Sequence, residues 1–352
     1  MGKIELDHTG SGGGITLSSD GTDLLLDGTA IGGGGGSALE LYAESPNASA
    51  VTPTANAGGS YNSVAIGNGA DIGSGRGESI AIGTDALTNQ SQALAIGRAA
   101  TVGSGGTWST AVGRNSFTNG QSAVALGNSY ASGTDSLAAV IDTNSTSYGA
   151  TSNYSVAISQ NAKASNSEAI ALGPYTQATA NAAVSIGAFS DATAQRGFAL
   201  GNYAKAGSIG KFAFSNQRYA AVGDTQGGLY VLRQQTTNAT AIALTTSSGG
   251  TPSSTQIILP SGSAFAFTGT VVAKQLSSSN AAAWEVKGLI VNQGGTTTLT
   301  NSSTTVISNT PSWGMALSAD DTNDALAITV TGAASTVIRW VANIQTSEVS
   351  IA

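Results

Sequence analysis

The chain has 352 residues, of which 9% are charged and 47 are Gly, with a formal net charge of −7 and no Cys. This composition is far from that of an average enzyme and close to that of fibrous β proteins. The absence of Cys excludes disulfides, thiolate zinc sites and Cys nucleophiles. The sequence has no basic stripe interleaved with aromatic residues and no apolar run of 18 residues, so we expect neither nucleic-acid binding nor membrane insertion.

Residues 1–36 predict a small β segment, with short strand-like runs at Lys3–Leu6, Ile15–Leu17 and Leu24–Leu26 separated by turn residues. The run Gly32–Gly36 has the composition of a flexible linker. This opening resembles the N-termini of structural proteins from tailed bacteriophages, and the resemblance implies a segment that docks a fibre on the particle. The alternative is a disordered tail. Residues 37–60 are expected to form an extended connector or an irregular first coil.

From Ser63 to Gly201 one five-residue phrase recurs ten times. Its first copy reads Ser-Val-Ala-Ile-Gly, and successive copies end 14 residues apart, with two steps of 16 and one of 18. Alternation of a large aliphatic residue with Ala predicts a short strand with one buried face. The closing Gly permits a sharp turn, and a smaller apolar position follows it. Each repeat therefore predicts one two-strand coil of a β-solenoid.

A coil of this kind cannot bury its apolar face alone, so the coils are expected to stack. Because such a narrow roll has a thin core, a second apolar stripe is expected to be covered by other copies of the chain. The predicted repeat core consists of Val64, Ile66, Ile80, Ile82, Leu94, Ile96, Val124, Leu126, Ile170, Leu172, Val184, Ile186, Phe198 and Leu200.

The phrase and its spacing resemble the head repeats of YadA-like trimeric autotransporter adhesins. The resemblance implies a left-handed parallel β-roll, three chains side by side and a role in surface attachment. The departures are the longer steps, predicted to form corner loops and one bulging loop around Asp142–Tyr154, and Ser159 in place of Gly. The chain lacks the signal segment, heptad stalk and membrane anchor that such adhesins need, so we expect assembly in the cytoplasm of a host cell, as part of a virion.

After the repeats, the larger side chains of Lys211–Ser215 predict a cap on the solenoid. Residues 223–352 contain about nine strand-like runs separated by turn clusters, which predict an antiparallel β-sandwich. Trp284, Trp313 and Trp340 fall within these runs and are predicted core residues. The pattern Trp284-x-Val286-x-Gly288 and the run Ile338–Ala342 are among the features that resemble a C-terminal module of phage fibres. That resemblance implies a tip that meets a receptor.

The densest acidic run, Asp320, Asp321, Asn323 and Asp324, is the candidate receptor-contact region. Its oxygens offer ligands for Ca²⁺, but the spacing of an EF-hand is missing, and a hairpin turn explains the run without metal. The single histidine, His8, is expected at the surface. No catalytic constellation, cofactor motif or metal site is predicted, so we expect a protein that is not an enzyme.

Together these observations predict an all-β protein: a trimeric left-handed parallel β-roll, an antiparallel β-sandwich tip and a short β docking segment. The predicted units are residues 1–36, 37–60, 61–210, 211–222 (a neck) and 223–352. The predicted function is that of a homotrimeric phage tail fibre or similar appendage. Its expected partners are itself, other virion proteins through the N-terminus, and a host cell-surface receptor, with polysaccharide as one candidate. The alternatives are a capsid fibre or decoration protein, a polysaccharide-degrading tailspike, and a secreted adhesin head.

Overall fold

The computed structural model describes residues 56–142, 145–247, 252–309 and 311–351, together with the backbone of four short strands near the N-terminus. Those four strands form an antiparallel sheet in the order β1-β2-β3-β4, with bounds β1 (Ile4–Leu6), β2 (Ile15–Ser19), β3 (Leu24–Leu26) and β4 (Thr29–Ala30). Three of them lie where the sequence predicts strands. His8, the Gly32–Gly36 linker and residues 37–55 of the connector lie outside the described residues.

The repeats form a parallel β-solenoid of about eleven turns, in which each turn contributes a strand to a long sheet. The strands of this sheet are β5 (Val64–Ile66), β7 (Ile80–Ile82), β9 (Leu94–Ile96), β11 (Thr110–Val112), β13 (Val124–Leu126), β15 (Leu137–Ala139), β17 (Val156–Ile158), β19 (Ile170–Leu172), β21 (Val184–Ile186), β23 (Phe198–Gly201) and β25 (Phe212–Ser215). Each pairs in parallel with the equivalent residues of the next coil, as Val64 does with Ile80. The predicted solenoid is confirmed.

A second parallel sheet of ten shorter strands closes the other side of the roll. Its members are β6 (Asp71–Ile72), β8 (Leu87–Thr88), β10 (Thr101–Val102), β12 (Phe117–Thr118), β14 (Tyr130–Ala131), β16 (Gly149–Ala150), β18 (Lys163–Ala164), β20 (Gln177–Ala178), β22 (Asp191–Ala192) and β24 (Lys205–Ala206). The two 16-residue steps place their extra residues in the corners after β6 and β10, and the 18-residue step lies in the long connection between β15 and β16.

The repeated phrase is explained by contacts between neighbouring coils. Gly97 has φ of 129°, and a Cβ atom there would lie 2.5 Å from the carbonyl oxygen of Gly113 in the next coil, so both its backbone and its stacking require Gly. The Ser that opens the phrase joins coils as well. The Ser109 hydroxyl donates to the Gly120 carbonyl at 2.6 Å and accepts from the Ala123 N–H at 3.1 Å.

The interior of the roll is filled by small residues. The central residue of each long-sheet strand, which is Ser185 in β21 and Ala in the other ten strands, points inward and is almost completely buried, as Ala81, Ala95 and Ala171 show. The fourteen larger residues predicted as the repeat core lie on the opposite, outer face, where each is partly or fully exposed in the single chain. Within one chain the predicted core residues therefore lie outside the roll and the small residues lie inside it. The reason is that the two sheets of such a narrow coil leave room only for Ala, Ser and a few branched residues.

After β25 the chain reverses at residues 216–224. The carboxylate of Asp224 closes this turn by accepting the backbone N–H groups of Tyr219 at 3.0 Å, Ala220 at 2.6 Å and Ala221 at 2.8 Å. The next strand then pairs antiparallel with β25, so that the long sheet of the solenoid continues into the C-terminal region. The predicted cap at Lys211–Ser215 is thus the last parallel strand of the roll.

The C-terminal region contains two antiparallel sheets. The elements are β26 (Thr225–Thr236), β27 (Ala241–Ala243), α1 (Pro252–Thr255), β28 (Ile257–Ile258), β29 (Ser263–Gln275), β30 (Ala281–Gln293), β31 (Thr296–Ser308), β32 (Gly314–Asp320), β33 (Ala325–Thr331) and β34 (Ile338–Ser350). The larger sheet continues from β25 in the order β26-β34-β29-β30-β31, and the smaller sheet has β33 at its centre. These nine strands coincide with the nine predicted runs, and the one-turn helix α1 was not predicted.

Both C-terminal sheets contribute to one hydrophobic core. Tyr230 and Ile344 from the larger sheet and Ile328 from the smaller sheet are buried in the same cluster. Trp284 and Trp340 stack with ring centroids 5.8 Å apart, and the Trp340 indole N–H donates to the Thr236 hydroxyl at 3.0 Å. The prediction that three of the Trp residues are core residues is confirmed.

Candidate functional site

The outer side of the long parallel sheet carries two columns of side chains that run the length of the solenoid. Because the central Ala or Ser points inward, the first and third residues of every strand point outward. The first column is Val64, Ile80, Leu94, Thr110, Val124, Leu137, Val156, Ile170, Val184, Phe198 and Phe212. The third-position column is Ile66, Ile82, Ile96, Val112, Leu126, Ala139, Ile158, Leu172, Ile186, Leu200 and Phe214. We call these two columns the outer apolar face.

No residue of the outer apolar face is charged, and Thr110 is its one polar member. All except Ala139 are partly or fully exposed in the single chain. Exposure reaches 37% at Ile80, 39% at Leu126 and 53% at Phe214. Soluble monomers rarely expose a continuous apolar patch of more than a few hundred Å². This face therefore has the chemistry of a contact surface.

An aromatic ladder borders the outer apolar face on the three successive coils of β19, β21 and β23. The rings of Tyr175 and Phe189 stack with centroids 4.9 Å apart, those of Phe189 and Tyr203 with centroids 5.1 Å apart, and the Arg218 guanidinium lies 4.1 Å from the centroid of the Tyr203 ring. All three aromatic residues have φ between 55° and 60°, a strained conformation for bulky side chains. Sequence reasoning missed the ladder, although the 14-residue spacing of its members was a visible signal.

The acidic run lies in the hairpin turn between β32 and β33, as predicted. Its carboxylates accept hydrogen bonds from backbone and side-chain groups of neighbouring residues. Asp321 accepts the Thr297 N–H at 2.6 Å, Asp324 accepts the Thr297 hydroxyl at 3.0 Å, and Asp320 accepts the Asn323 side-chain amide at 2.7 Å. Within the described ranges no group of three or more His, Cys, Asp or Glu residues is arranged to hold a metal ion. The receptor-contact role of this run stays a prediction.

A buried polar network joins the last coil of the solenoid to the last strand of the chain. Lys211 and Glu348 are 5% and 6% exposed, and the Lys211 ammonium lies 2.5 Å from the Glu348 carboxylate. That carboxylate also accepts from Gln226 at 2.8 Å, Thr346 at 2.7 Å and Tyr230 at 3.3 Å. We call these five residues the junction network.

Burial dominates the electrostatics of the junction network. It lowers the pKa of Lys211, and the nearby Glu348 carboxylate opposes that shift. Burial also raises the pKa of the Tyr230 hydroxyl, and the Glu348 charge adds to that increase. A cleft of about 400 Å³ opens beside the network. Because the Glu348 carboxylate accepts hydrogen bonds from four side chains, the network fastens the last coil of the roll to the last strand of the chain.

Comparisons with known proteins do not assign the chain to a family. No family model matches the chain, and no curated protein matches its sequence. One similar solved structure is tailspike protein gp49 from the Acinetobacter baumannii bacteriophage Fri1, a capsular polysaccharide depolymerase. It is 9% identical with a TM-score of 0.24, and the match covers 82% of this chain and 52% of that one. The chain thus spans about half the length of that protein. Among the described residues no helix is both long and apolar enough to cross a membrane.

Proposed function

We propose that this protein is a homotrimeric structural subunit of a phage tail fibre or similar virion appendage, which attaches the particle to its host surface. The observation that carries the proposal is the outer apolar face: two uncharged columns over eleven stacked strands. The resemblance of the repeats to trimeric adhesin heads and of the C-terminal region to a phage fibre module supports the same assignment.

The physical reason for self-association is burial of apolar surface. Copies of the chain carry identical columns with the same spacing, so they match one another along the whole length, about 50 Å for eleven strands. Three rolls can turn these columns toward a common axis and exclude water from all of them. We expect each roll to be left-handed, as in the adhesin heads. The aromatic ladder next to the third-position column widens the surface available for contact.

We assign roles to the C-terminal sheets and the N-terminal segment from their positions in the chain. The two C-terminal antiparallel sheets, which share one core, form a β-sandwich at the end of the rod, where a fibre meets its receptor. Three such tips held together gain avidity from individually weak contacts. The N-terminal β segment docks on other virion proteins. The protein is not an enzyme in this proposal, and the roll serves to space the tip from the particle.

The first experiment is the solution mass of the full-length chain by light scattering after size exclusion. A mass near three times 34.6 kDa is expected. The double variant Ile82→Asp/Ile96→Asp places charges in the third-position column and should shift the mass toward one chain. The matched control Ser104→Asp/Gln121→Glu adds the same charge at exposed corner positions and should stay trimeric. A well-folded monomer for the unaltered chain would refute the trimer.

Attachment is tested separately from assembly. The purified trimer should compete with whole phage for adsorption to host cells, and removal of the N-terminal segment should leave that competition intact. A trimer that fails to compete would favour the capsid decoration alternative. Release of new reducing sugar ends from the host envelope would instead establish the tailspike alternative and contradict the non-enzymatic assignment.

A further inference from the structure

A line of side chains follows one corner of the solenoid, two residues before each strand of the long sheet begins. The members on six successive coils, which we call the Trp108 column, are Gln92, Trp108, Ser122, Asp135, Tyr154 and Glu168. All six have φ between 53° and 60°, and the coils stack about 4.8 Å apart. A left-handed backbone is unfavourable for bulky side chains, so the Trp and Tyr in this column are not explained by the needs of the turn.

The indole of Trp108 is displayed on the surface of the roll. Trp108 is 53% exposed, whereas the three other Trp residues of the chain lie in the C-terminal core. Its indole N–H donates to the Gln92 side-chain oxygen. Because an indole N–H lies in the plane of its ring, an edge of the ring and not a face meets the preceding coil. On the following coil, Ser122 is too short to cover the ring.

Polar groups and a second ring follow along the same line. Asp135 is exposed two coils beyond Trp108. Tyr154 is 59% exposed and lies three coils beyond Trp108, roughly 14 Å along the roll. In the part of the chain that the structure describes, neither the Asp135 carboxylate nor the Tyr154 hydroxyl has a hydrogen-bonding or ionic partner. Two aromatic rings thus flank an unpaired carboxylate.

This arrangement has the chemistry of a saccharide-binding surface. A pyranose ring offers apolar C–H faces that pack on Trp and Tyr rings, while its hydroxyl groups donate to carboxylates. One coil step is close to the length of one sugar unit, so a saccharide chain that lies along the roll meets Trp108, Asp135 and Tyr154 in turn.

Other ligands fit the Trp108 column less well. The carboxylates of Asp135 and Glu168 repel the phosphates of nucleic acids and the acid groups of anionic polysaccharides. The backbone N–H groups of Ser122, Asp135, Tyr154 and Glu168 donate to the preceding coil at 2.8 to 3.0 Å. An extended peptide therefore finds no free strand edge here to which it could add.

We propose that the Trp108 column binds an uncharged polysaccharide lying along the side of the roll. The rings of Trp108 and Tyr154 stack on two of its sugar units, and the Asp135 carboxylate accepts from a hydroxyl group between them. This gives the roll a binding role in addition to spacing the tip. The inference rests on the proposed assembly only because the column must stay open beside the contact between copies. Burial of the Asp135 and Glu168 carboxylates in that contact would be costly, so we place the column in solvent.

The test uses acrylamide quenching of Trp fluorescence in the full-length chain. Because Trp108 is exposed and the other Trp residues are buried, the quenchable emission reports on this site. The probes are cellohexaose, chitohexaose and maltohexaose, with an alginate hexamer as the anionic comparison. At least one of the uncharged oligosaccharides should protect Trp108 from acrylamide, and the alginate hexamer should not.

Variants assign the binding to the column, with affinity measured by titration calorimetry. Trp108→Ala should weaken binding about three- to tenfold, and Trp108→Tyr should restore part of that loss. The fold accommodates Ala here, because Ala182 holds the equivalent position two coils beyond Tyr154 with φ of 53°. Tyr154→Ala and Asp135→Asn should also weaken binding. The matched control Tyr219→Ala removes an aromatic residue that is 84% exposed in the turn after the roll and should leave the affinity unchanged.

Four results would overturn the proposal. These are protection by none of the uncharged oligosaccharides, equal protection by the alginate hexamer, equal losses in Trp108→Ala and Tyr219→Ala, and emission of the unaltered chain that acrylamide does not quench. The last result would place Trp108 inside a contact between copies. The solution mass separates this inference from the assembly. A trimer with a quenchable Trp108 that binds no saccharide refutes the binding site alone, whereas a monomer that binds refutes the trimer and leaves the site standing.

Discussion

Replacement of Glu348 by Gln tests whether the junction network fastens the C-terminal sheets to the solenoid. The change keeps the shape of the side chain but removes the charge that faces the buried Lys211 ammonium, 2.5 Å away. Loss of one partner from a buried ion pair typically costs about 3–5 kcal/mol, because the remaining charge is left without compensation in a water-poor site. Both side chains are about 95% buried, so the full range applies.

The loss of folding stability in the Glu348→Gln variant should depend on pH in a defined direction. Burial already lowers the pKa of Lys211 below its ordinary value of 10.5, and loss of the Glu348 charge lowers it further. Between the folded-state pKa and the unfolded value, the unfolded chain binds more protons, so stability rises with pH. Below the folded-state pKa of Lys211, the free-energy penalty of a buried and uncompensated ammonium group is fully present. The deficit of the variant relative to the unaltered chain should therefore be larger near neutral pH and should shrink as the pH rises toward 10.

The assay is equilibrium urea unfolding followed by circular dichroism at pH 7 and at pH 9.5. Glu285→Gln removes the same charge from an exposed position of β30 and should change stability by less than about 0.5 kcal/mol. The double variant Lys211→Met/Glu348→Gln should recover more than half of the loss, because no uncompensated charge is left. A Glu348→Gln variant within about 1 kcal/mol of the unaltered chain, or a double variant no more stable than the single one, would refute the reasoning.

Three further changes probe the roll and the acidic turn. Gly97→Ala places a Cβ atom 2.5 Å from the Gly113 carbonyl oxygen, at a residue with a positive φ. The variant should have a clearly lower thermal unfolding midpoint. An unchanged midpoint would show that neighbouring coils can move apart at no cost in stability. Ala171→Leu overfills a fully buried position and should cost about 1–3 kcal/mol in urea unfolding, while an unaltered stability would mean that the interior is not close-packed. Asp321→Ala removes the acceptor of the Thr297 N–H and should lower the free energy of unfolding by about 1 kcal/mol. Added Ca²⁺ should change the stability of neither protein. Stabilisation of the unaltered chain alone by Ca²⁺ would instead establish a metal site.

Much of the fold follows from local signals in the sequence. The 14-residue period, the alternation within each phrase and the closing Gly predict the stacked coils, because every coil repeats the same contacts with its neighbours. The nine C-terminal runs likewise appear as nine strands, and the acidic run at Asp320–Asp324 forms the predicted hairpin turn. The binding partner of that turn, Thr297, comes from a different hairpin and could not be read from the run itself.

The amino-acid sequence by itself determined the period, the strand positions and the existence of two faces on each strand of the roll. Only the tertiary structure decided which face is inside, because alternation separates Ile82 from Ala81 without saying which of them fits the narrow space between the two sheets. Only the tertiary structure brought Lys211 to Glu348, which lie more than a hundred positions apart in the sequence. That contact depends on strand order and register, which local sequence patterns do not encode.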